Sequence, residues 1–213
     1  MSTYVFDFDG TLVDSMPIYI SNMLKILNDS GVSYPDDIIK KITPLGVVDT
    51  AKYFINMGVK KPLNEVIRAV EDYAFYEYSY NIPAKVNVIS TITELKKRGH
   101  KINVLTASPH ITLDPCLKRL EIFDVFDNVW SCDDFKTTKA DPEIYKMVAE
   151  KTDIPLSEIL FADDNINALK TAKKAGLKTC GVFDASSEDM IDEIRELADF
   201  YVVDFKELLD ITF

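Results

Sequence analysis

Short, mostly apolar runs alternate with helix-like stretches through much of this chain. Such runs are typical of strands buried on both faces of a parallel sheet. Between them, apolar residues recur at the spacing of one helix face. The predicted strands are Tyr4–Phe6, Lys101–Thr106, Asn128–Ser131, Ile159–Ala162, Lys178–Phe183 and Tyr201–Val203. Repeated strand–helix units predict an α/β fold, a doubly wound parallel sheet with helices on both faces.

Residues 16–84 follow a different pattern. Helical stretches succeed one another here, and no convincing strand separates them. These helices are predicted to begin at or near Pro17, Pro35, Val47 and Pro62. We therefore predict an α-helical domain over residues 16–84, inserted into an α/β domain that is formed by residues 1–15 and 85–213.

The composition narrows the class of protein. The net charge is −11, and an acidic surface repels nucleic acid and anionic membrane, so we expect neither as a partner. The three cysteines are widely spaced and there are only two histidines, which argues against a zinc site. Unpaired cysteines suit a reducing compartment. No apolar run is long enough to span a bilayer. We expect a cytoplasmic protein, either a monomer or a weak homodimer.

Carboxylates directly follow the first predicted strand. Asp7 and Asp9 stand at its carboxyl end, where open α/β sheets bind their ligands, and Gly10 then permits a sharp turn. Two acids so close together repel each other unless a cation lies between them. A calcium loop of the helix–loop–helix type is excluded, because Leu12 and Ile18 stand where that loop needs a glycine and an acid.

Polar residues follow three further strands. Thr106 and Ser108 end the second strand, Lys139 precedes a helix after the third, and Asp163 and Asp164 end the fourth. If these ends share one edge of the sheet, the carboxylates can hold a hard cation, and Lys139 and Thr106 can bind an anion beside it. Mg²⁺ suits such a site because it prefers oxygen ligands. Taken singly, Asp164 could instead cap a helix and Lys139 could be an ordinary solvated lysine.

At these stretches the sequence resembles the haloacid-dehalogenase-like superfamily, most of all the branch that contains phosphoglycolate phosphatase and β-phosphoglucomutase. Asp7–Ser15 matches the first motif of the family closely, Thr106 the second, Lys139 the third, and Asp163 with Asp164 the fourth. The resemblance covers the whole chain. It implies a Rossmann-like core that carries a helical cap inserted after the first motif.

The resemblance implies a Mg²⁺-dependent phosphatase that acts on a small phosphorylated metabolite. Asp7 would be the nucleophile and would form an aspartyl-phosphate. Asp9 would protonate the leaving group and then activate water. Thr106 would hydrogen-bond the phosphoryl group, and Lys139 would offset negative charge on the nucleophile and the phosphoryl oxygens.

The metal and substrate contacts are implied in the same way. Asp7 and Asp164 would bind Mg²⁺ through their side chains and Asp9 through its carbonyl, with Asp163 as a further ligand or a supporting acid. The substrate would contact Thr106, Ala107 and Ser108. Gly46 and His110 are further candidates for substrate contact, although an ordinary helix–helix turn and an exposed histidine are the plainer interpretations.

Several residues depart from the phosphatase pattern. Asp163 and Ala107 look more like the mutase group, Ala168 replaces a frequent acid, and Ala140 replaces a proline. A sugar-phosphate mutase therefore stays open as an alternative. A non-catalytic protein that binds a phosphorylated ligand also stays open, because a fold does not determine a function, although the retained motif residues argue against it. Gly10 and the hydroxyl residue after it favour the phosphatase.

Overall fold

The computed structural model describes residues 2–42, 45 and 47–213. The chain forms two compact units. One comprises the residues up to Asp14 together with Pro83–Phe213, and the other comprises Ser15–Ile82. None of the helices in the described part of the chain is long and apolar enough to cross a membrane.

The smaller unit is helical. Its described residues form α1 (Met16–Asp29), α2 (Ile38–Ile42), α3 (Val47–Met57) and α4 (Leu63–Tyr80). Pro17 lies in the first turn of α1, where its fixed backbone angle favours a helix start. Met23 and Leu27, one turn apart on α1, are buried together with Phe54 and Val66 from the other helices. The helical spacing of apolar residues thus builds the core of this unit.

The larger unit is built on a six-stranded parallel sheet. Its strands are β1 (Thr3–Phe6), β2 (Lys101–Thr106), β3 (Asn128–Ser131), β4 (Ile159–Asp163), β5 (Lys178–Val182) and β6 (Phe200–Val202). Their order in space is β3-β2-β1-β4-β5-β6, and each neighbouring pair runs parallel. The chain therefore winds outward in both directions from the centre, which confirms the predicted doubly wound α/β fold.

Helices connect these strands. They are α5 (Val88–Lys97), α6 (His110–Arg119), α7 (Glu143–Thr152), α8 (Ile166–Ala175) and α9 (Ile191–Leu197). The helix that follows β4, α8, is capped by Asn165, whose side-chain oxygen accepts the N–H groups of Asn167 (2.9 Å) and Ala168 (3.4 Å). The interpretation of Asp164 as a helix cap is therefore wrong, and its carboxylate serves another purpose.

The register of the central strands positions the candidate site. Phe6, the last residue of β1, lies opposite Val104 of β2 and Ala162 of β4. Tyr4 and Phe6 are almost completely buried, which explains why the central strand has an unbroken apolar sequence. The three strands end almost level, so the residues that follow them meet at one edge of the sheet.

Candidate active site

A tight turn after β1 carries the first two acids. The N–H of Asp7 donates to the carbonyl of Ala162 at 2.9 Å and extends the pairing of β1 with β4 by one residue. Gly10 adopts a φ of +73°, and its N–H donates to the carbonyl of Val13 at 3.0 Å. The turn therefore keeps Asp7 and Asp9 at the carboxyl edge of the sheet.

A buried group of charges surrounds Asp7. The ammonium nitrogen of Lys139 lies 2.7 Å from Asp7 Oδ1 and 2.8 Å from Asp163 Oδ2. One carboxylate oxygen each from Asp7, Asp163 and Asp164 lie within 4.8 Å of one another. The Lys139 side chain is only 14 % exposed, so the interpretation of an ordinary solvated lysine is wrong. The group thus contains three acids and one lysine, which leaves it with excess negative charge.

Burial and, to a smaller extent, this imbalance of charge shift the pKa values of the group. Burial raises the pKa of Asp7 to about 7, although the nearby Lys139 lowers it. Burial also raises the pKa of Asp164 well above its usual range, and the charges of Asp163 and Asp7 raise it further. Burial lowers the pKa of Lys139, but the two carboxylates it contacts outweigh this and raise it well above its usual value. A cation among these acids would offset the excess negative charge.

Asp164 is held by the turn after β1. The hydroxyl of Thr11 donates to Asp164 Oδ1 at 3.1 Å. A Cβ atom on Gly10 would lie 2.7–2.8 Å from the atoms of the Asp164 carboxyl group, so only glycine leaves room for this carboxylate. The contact of Thr11 with Asp164 was not predicted from the sequence, in which only the place of Thr11 in the first motif pointed to a role for it.

The end of β2 contacts the second acid. The hydroxyl of Ser108 donates to Asp9 Oδ2 at 2.5 Å. The backbone N–H of Ser108 donates to the hydroxyl oxygen of Thr106 at 3.0 Å. Ala107, between them, is exposed. The structure therefore brings Thr106, Ser108 and Asp9 together at the edge where Asp7 lies, as the strand-end pattern predicted.

Asp163 and Tyr145 fix the position of Lys139. Asp163 is fully buried; Oδ1 accepts the N–H of Asn165 at 2.7 Å, and Oδ2 accepts from Lys139. The hydroxyl of Tyr145 lies 3.1 Å from the carbonyls of Lys139 and Ala168. Tyr145 was missed by the sequence analysis, because nothing in its neighbourhood distinguishes it from a core aromatic residue.

His110 and Gly46 were predicted to contact substrate. The imidazole of His110 lies between two carboxylates, with Nδ1 2.8 Å from Asp114 and Nε2 2.9 Å from Asp134. Gly46 falls outside the described residues. Contact of either residue with substrate stays a prediction.

Comparison with known proteins agrees with this geometry. The family model for haloacid dehalogenase-like hydrolases matches residues 4–182. The chain is 29% identical over 187 residues to the pyrophosphatase PpaX of Bacillus cereus (strain Q1), which covers 85% of this chain and 83% of that protein. It is 25% identical over 181 residues to the phosphorylated carbohydrates phosphatase of Thermotoga maritima, which covers 84% of this chain and 83% of that one.

A solved structure shares the fold. The crystal structure of CbbY from Rhodobacter sphaeroides in complex with phosphate superposes with a TM-score of 0.79, and the match covers 98% of this chain and 96% of that one. The sequence identity is 19%, so this likeness supports the fold alone. The family match, which spans most of the chain, confirms the predicted family and the predicted enzyme class, a phosphatase. The chain belongs to the haloacid dehalogenase-like hydrolase family.

Proposed function

We propose that this enzyme is a Mg²⁺-dependent phosphatase that hydrolyses a small phosphorylated metabolite through an aspartyl-phosphate on Asp7. The observation that carries the proposal is the buried carboxylate of Asp7, held 2.7 Å from the ammonium of Lys139 at the end of the central strand. A carboxylate is a sufficient nucleophile toward phosphorus when fixed positive charge stabilises the transferring group. The names of the two curated relatives support a substrate that carries phosphate.

The proposed reaction has two steps. In the first, an oxygen of Asp7 forms a bond to phosphorus while the bond from phosphorus to the substrate oxygen breaks, and Asp9 gives its proton to that oxygen. In the second, Asp9 takes a proton from water, whose oxygen attacks phosphorus, so that phosphate leaves and the carboxylate of Asp7 is restored. Ser108 holds the side chain of Asp9 by a hydrogen bond.

Lys139 and Thr106 are proposed to stabilise the transferring phosphoryl group. The ammonium of Lys139 touches Asp7 and is fixed by Asp163, so it stands beside the point of attack and needs little reorganisation. Thr106 lies at the end of β2, and its hydroxyl oxygen accepts the N–H of Ser108. These groups supply local positive charge and hydrogen-bond capacity in a chain whose overall charge repels anions.

The donor set fits Mg²⁺. Clustered carboxylate oxygens from Asp7, Asp163 and Asp164 are hard ligands, and three acids beside one lysine leave the group with excess negative charge. We propose Asp7, Asp164 and the carbonyl of Asp9 as the holders of the ion. Asp163, both of whose oxygens already accept a hydrogen bond, is proposed mainly to hold Lys139. When bound, Mg²⁺ would supply positive charge beside the phosphoryl group.

Phosphate release from a panel of substrates tests the proposal. The panel should contain pyrophosphate, sugar phosphates and p-nitrophenyl phosphate, each assayed with Mg²⁺ and with EDTA. We expect release that needs the metal and falls by about a thousandfold or more in Asp7→Asn. Asp153→Asn is the matched control, because Asp153 is exposed and has a left-handed backbone that asparagine tolerates equally well.

Two results would contradict the proposal. One is substantial release by Asp7→Asn, and the other is release that EDTA does not reduce. Interconversion of sugar-phosphate isomers without release would instead favour the mutase alternative.

A further inference from the structure

Lys85 is a largely buried lysine whose ammonium meets three oxygen acceptors. It lies 2.6 Å from the carbonyl of Gly10, donates to the carbonyl of Phe183, and lies 2.9 Å from Asp184 Oδ2. An ammonium has three N–H donors, so these acceptors use all of them. The side chains of Lys85 and Asp184 are 18 % and 6 % exposed, whereas that of the surface lysine Lys146 is 53 % exposed.

The backbone around Lys85 is attached to the same turn. The N–H of Lys85 donates to the carbonyl of Leu12 at 3.0 Å, and Ala84 forms an antiparallel bridge with Val13. The backbone and the side chain of Lys85 therefore both hold the turn that carries Asp9. Nothing in the proposed chemistry uses this lysine.

The carbonyl that Lys85 holds belongs to the residue packed against Asp164. Because a Cβ atom on Gly10 would come within 2.8 Å of that carboxyl group, the backbone of Gly10 packs directly against it. Asp9, whose carbonyl is a proposed metal ligand, directly precedes Gly10. The position of Gly10 thus sets two ligand positions at once.

We propose that Lys85, paired with Asp184, is a positioning residue that fixes the Gly10 carbonyl and thereby sets the spacing of Asp9 and Asp164 for one divalent cation. This inference rests on the proposed function. The charge of Lys85 and its role as an anchor of the turn predict opposite effects of its removal on metal binding. A nearby ammonium repels a cation, so removal of its charge alone would tighten metal binding. Loss of the anchor releases the turn and weakens binding.

Calorimetric titration of Mg²⁺ into the purified protein tests this inference. We compare wild type with Lys85→Met, which keeps an unbranched side chain but removes the charge and all three donors. We expect the Kd for Mg²⁺ to rise by about tenfold or more, the usual effect of removing a residue that orients metal ligands. Lys85→Gln serves as a second variant should the methionine variant fail to fold, and the unfolding midpoint of each variant verifies that it is folded.

Lys96→Met is the matched control. Lys96, on α5, pairs with Asp127 at 2.7 Å and has no role in the proposed chemistry. This variant loses the same charge and donors as Lys85→Met. Its Kd for Mg²⁺ should stay within about twofold of wild type, well below the change usual for metal-orienting residues. An unchanged or lower Kd in the Lys85 variants, or an equal rise in Lys96→Met, would overturn the inference. Failure of wild type to bind Mg²⁺ would overturn the proposed function as well.

Discussion

At the scale of single residues, Gly10 combines two requirements. Its φ of +73° lies in the left-handed region, and its missing Cβ leaves room for the Asp164 carboxylate. Gly99 has a φ of +84° but no atom within 4 Å of where its Cβ would lie. The two glycines therefore share the backbone requirement and differ in the steric one.

Gly10→Ala should abolish Mg²⁺-dependent activity, while Gly99→Ala should retain it. Both substitutions should lower the free energy of unfolding by about 1–2 kcal/mol through the left-handed backbone. Only Gly10→Ala drives a methyl group into the Asp164 carboxylate. Phosphate release and chemical denaturation of the two variants measure this contrast. Equal retention of activity in both would show that the close approach to Asp164 is unimportant.

The proposed role of Asp9 predicts a dependence on the leaving group. In Asp9→Asn, kcat/KM should fall by about 10²–10⁴-fold for an alkyl phosphate, because the departing alkoxide needs a proton. The fall should be much smaller for p-nitrophenyl phosphate, whose leaving group departs without one. Steady-state kinetics with both substrates give the ratio. A uniform fall for the two would contradict general-acid catalysis by Asp9.

Sequence patterns found the acids because their signal is local. Asp7 and Asp164 each stand directly after a strand of unmistakable apolar character, and Asp9 follows Asp7 by two residues. Lys85 and Asp184 carry no such signal. They lie 99 residues apart, and their pairing with each other and with the turn at Gly10 exists only in the folded chain.

At the scale of elements, His110 joins two segments of the larger unit. It lies in the first turn of α6 and contacts Asp114 of the same helix and Asp134 of the 3-10 helix Cys132–Phe135. The hydrogen bond to Asp114 raises the pKa of His110 above its usual value, with a further contribution from Asp134. The protonated imidazole thus stabilises this connection.

The stability that His110 contributes should depend on pH. Because its folded pKa is raised, the contribution is complete below the unfolded value of about 6.5 and is lost as the pH rises through the folded pKa. The free energy of unfolding lost in His110→Gln should be roughly 0.2–1 kcal/mol larger at pH 6 than at pH 9. The difference is small because the interacting side chains are partly exposed. Denaturant titrations at both pH values measure this difference.

His100 is a control of opposite sign. Burial lowers its pKa, so its contribution should decline as the pH falls below about 6.5. His100→Gln should therefore cost more stability at pH 9 than at pH 6. The same pH trend for both histidines would contradict the assigned shifts.

Helix boundaries were predicted less well than strands. Apolar periodicity indicates a helix from Leu113 onward, but α6 begins at His110, because Pro109 with its extended backbone already starts the helix. Apolar periodicity likewise indicates one helix from Ser187 to Leu197, but the chain forms a 3-10 helix, Ala185–Met190, followed by α9. Met190, the residue before α9, departs from helical backbone angles (φ −112°, ψ 1°), which separates the two. Apolar periodicity locates a buried face, but caps and local backbone angles set the ends.

At the scale of the whole molecule, the excess negative charge at the sheet edge should couple metal binding to folding. A cation that binds the folded acids but not the unfolded chain stabilises the fold by mass action. The pKa values of Asp7 and Asp164 are raised chiefly by burial, which means that their ionised forms are disfavoured when no cation is bound.

Mg²⁺ should therefore raise the unfolding midpoint. At a concentration about 100 times the Kd, the gain is about 2.7 kcal/mol, or roughly 5–10 °C for a chain of this size. Asp164→Asn should lose most of this shift. Scanning calorimetry with Mg²⁺ or EDTA measures it, and an identical midpoint in both solutions would argue against a metal site among these acids.

The fold as a whole was predictable because each central strand is buried on both faces and so has a nearly continuous apolar sequence. The expectations drawn from composition are of another kind. Absence of nucleic-acid and membrane binding stays a prediction, since net charge bears on association and leaves the fold undetermined. A cytoplasmic location, which rests on the unpaired cysteines, and a monomeric or weakly dimeric state stay predictions as well.

The measurement that tests the central claim most directly is detection of the phosphorylated enzyme. Asp9→Asn is mixed with p-nitrophenyl phosphate and Mg²⁺, quenched in acid, digested and analysed by mass spectrometry. The first step proceeds without a proton donor for this substrate, while loss of water activation slows the second, so the intermediate accumulates. We predict one phosphoryl group on the peptide that contains Asp7, and none in the double variant with Asp7→Asn. Substrate turnover with that peptide unmodified, or modification of another residue, would contradict Asp7 as the nucleophile.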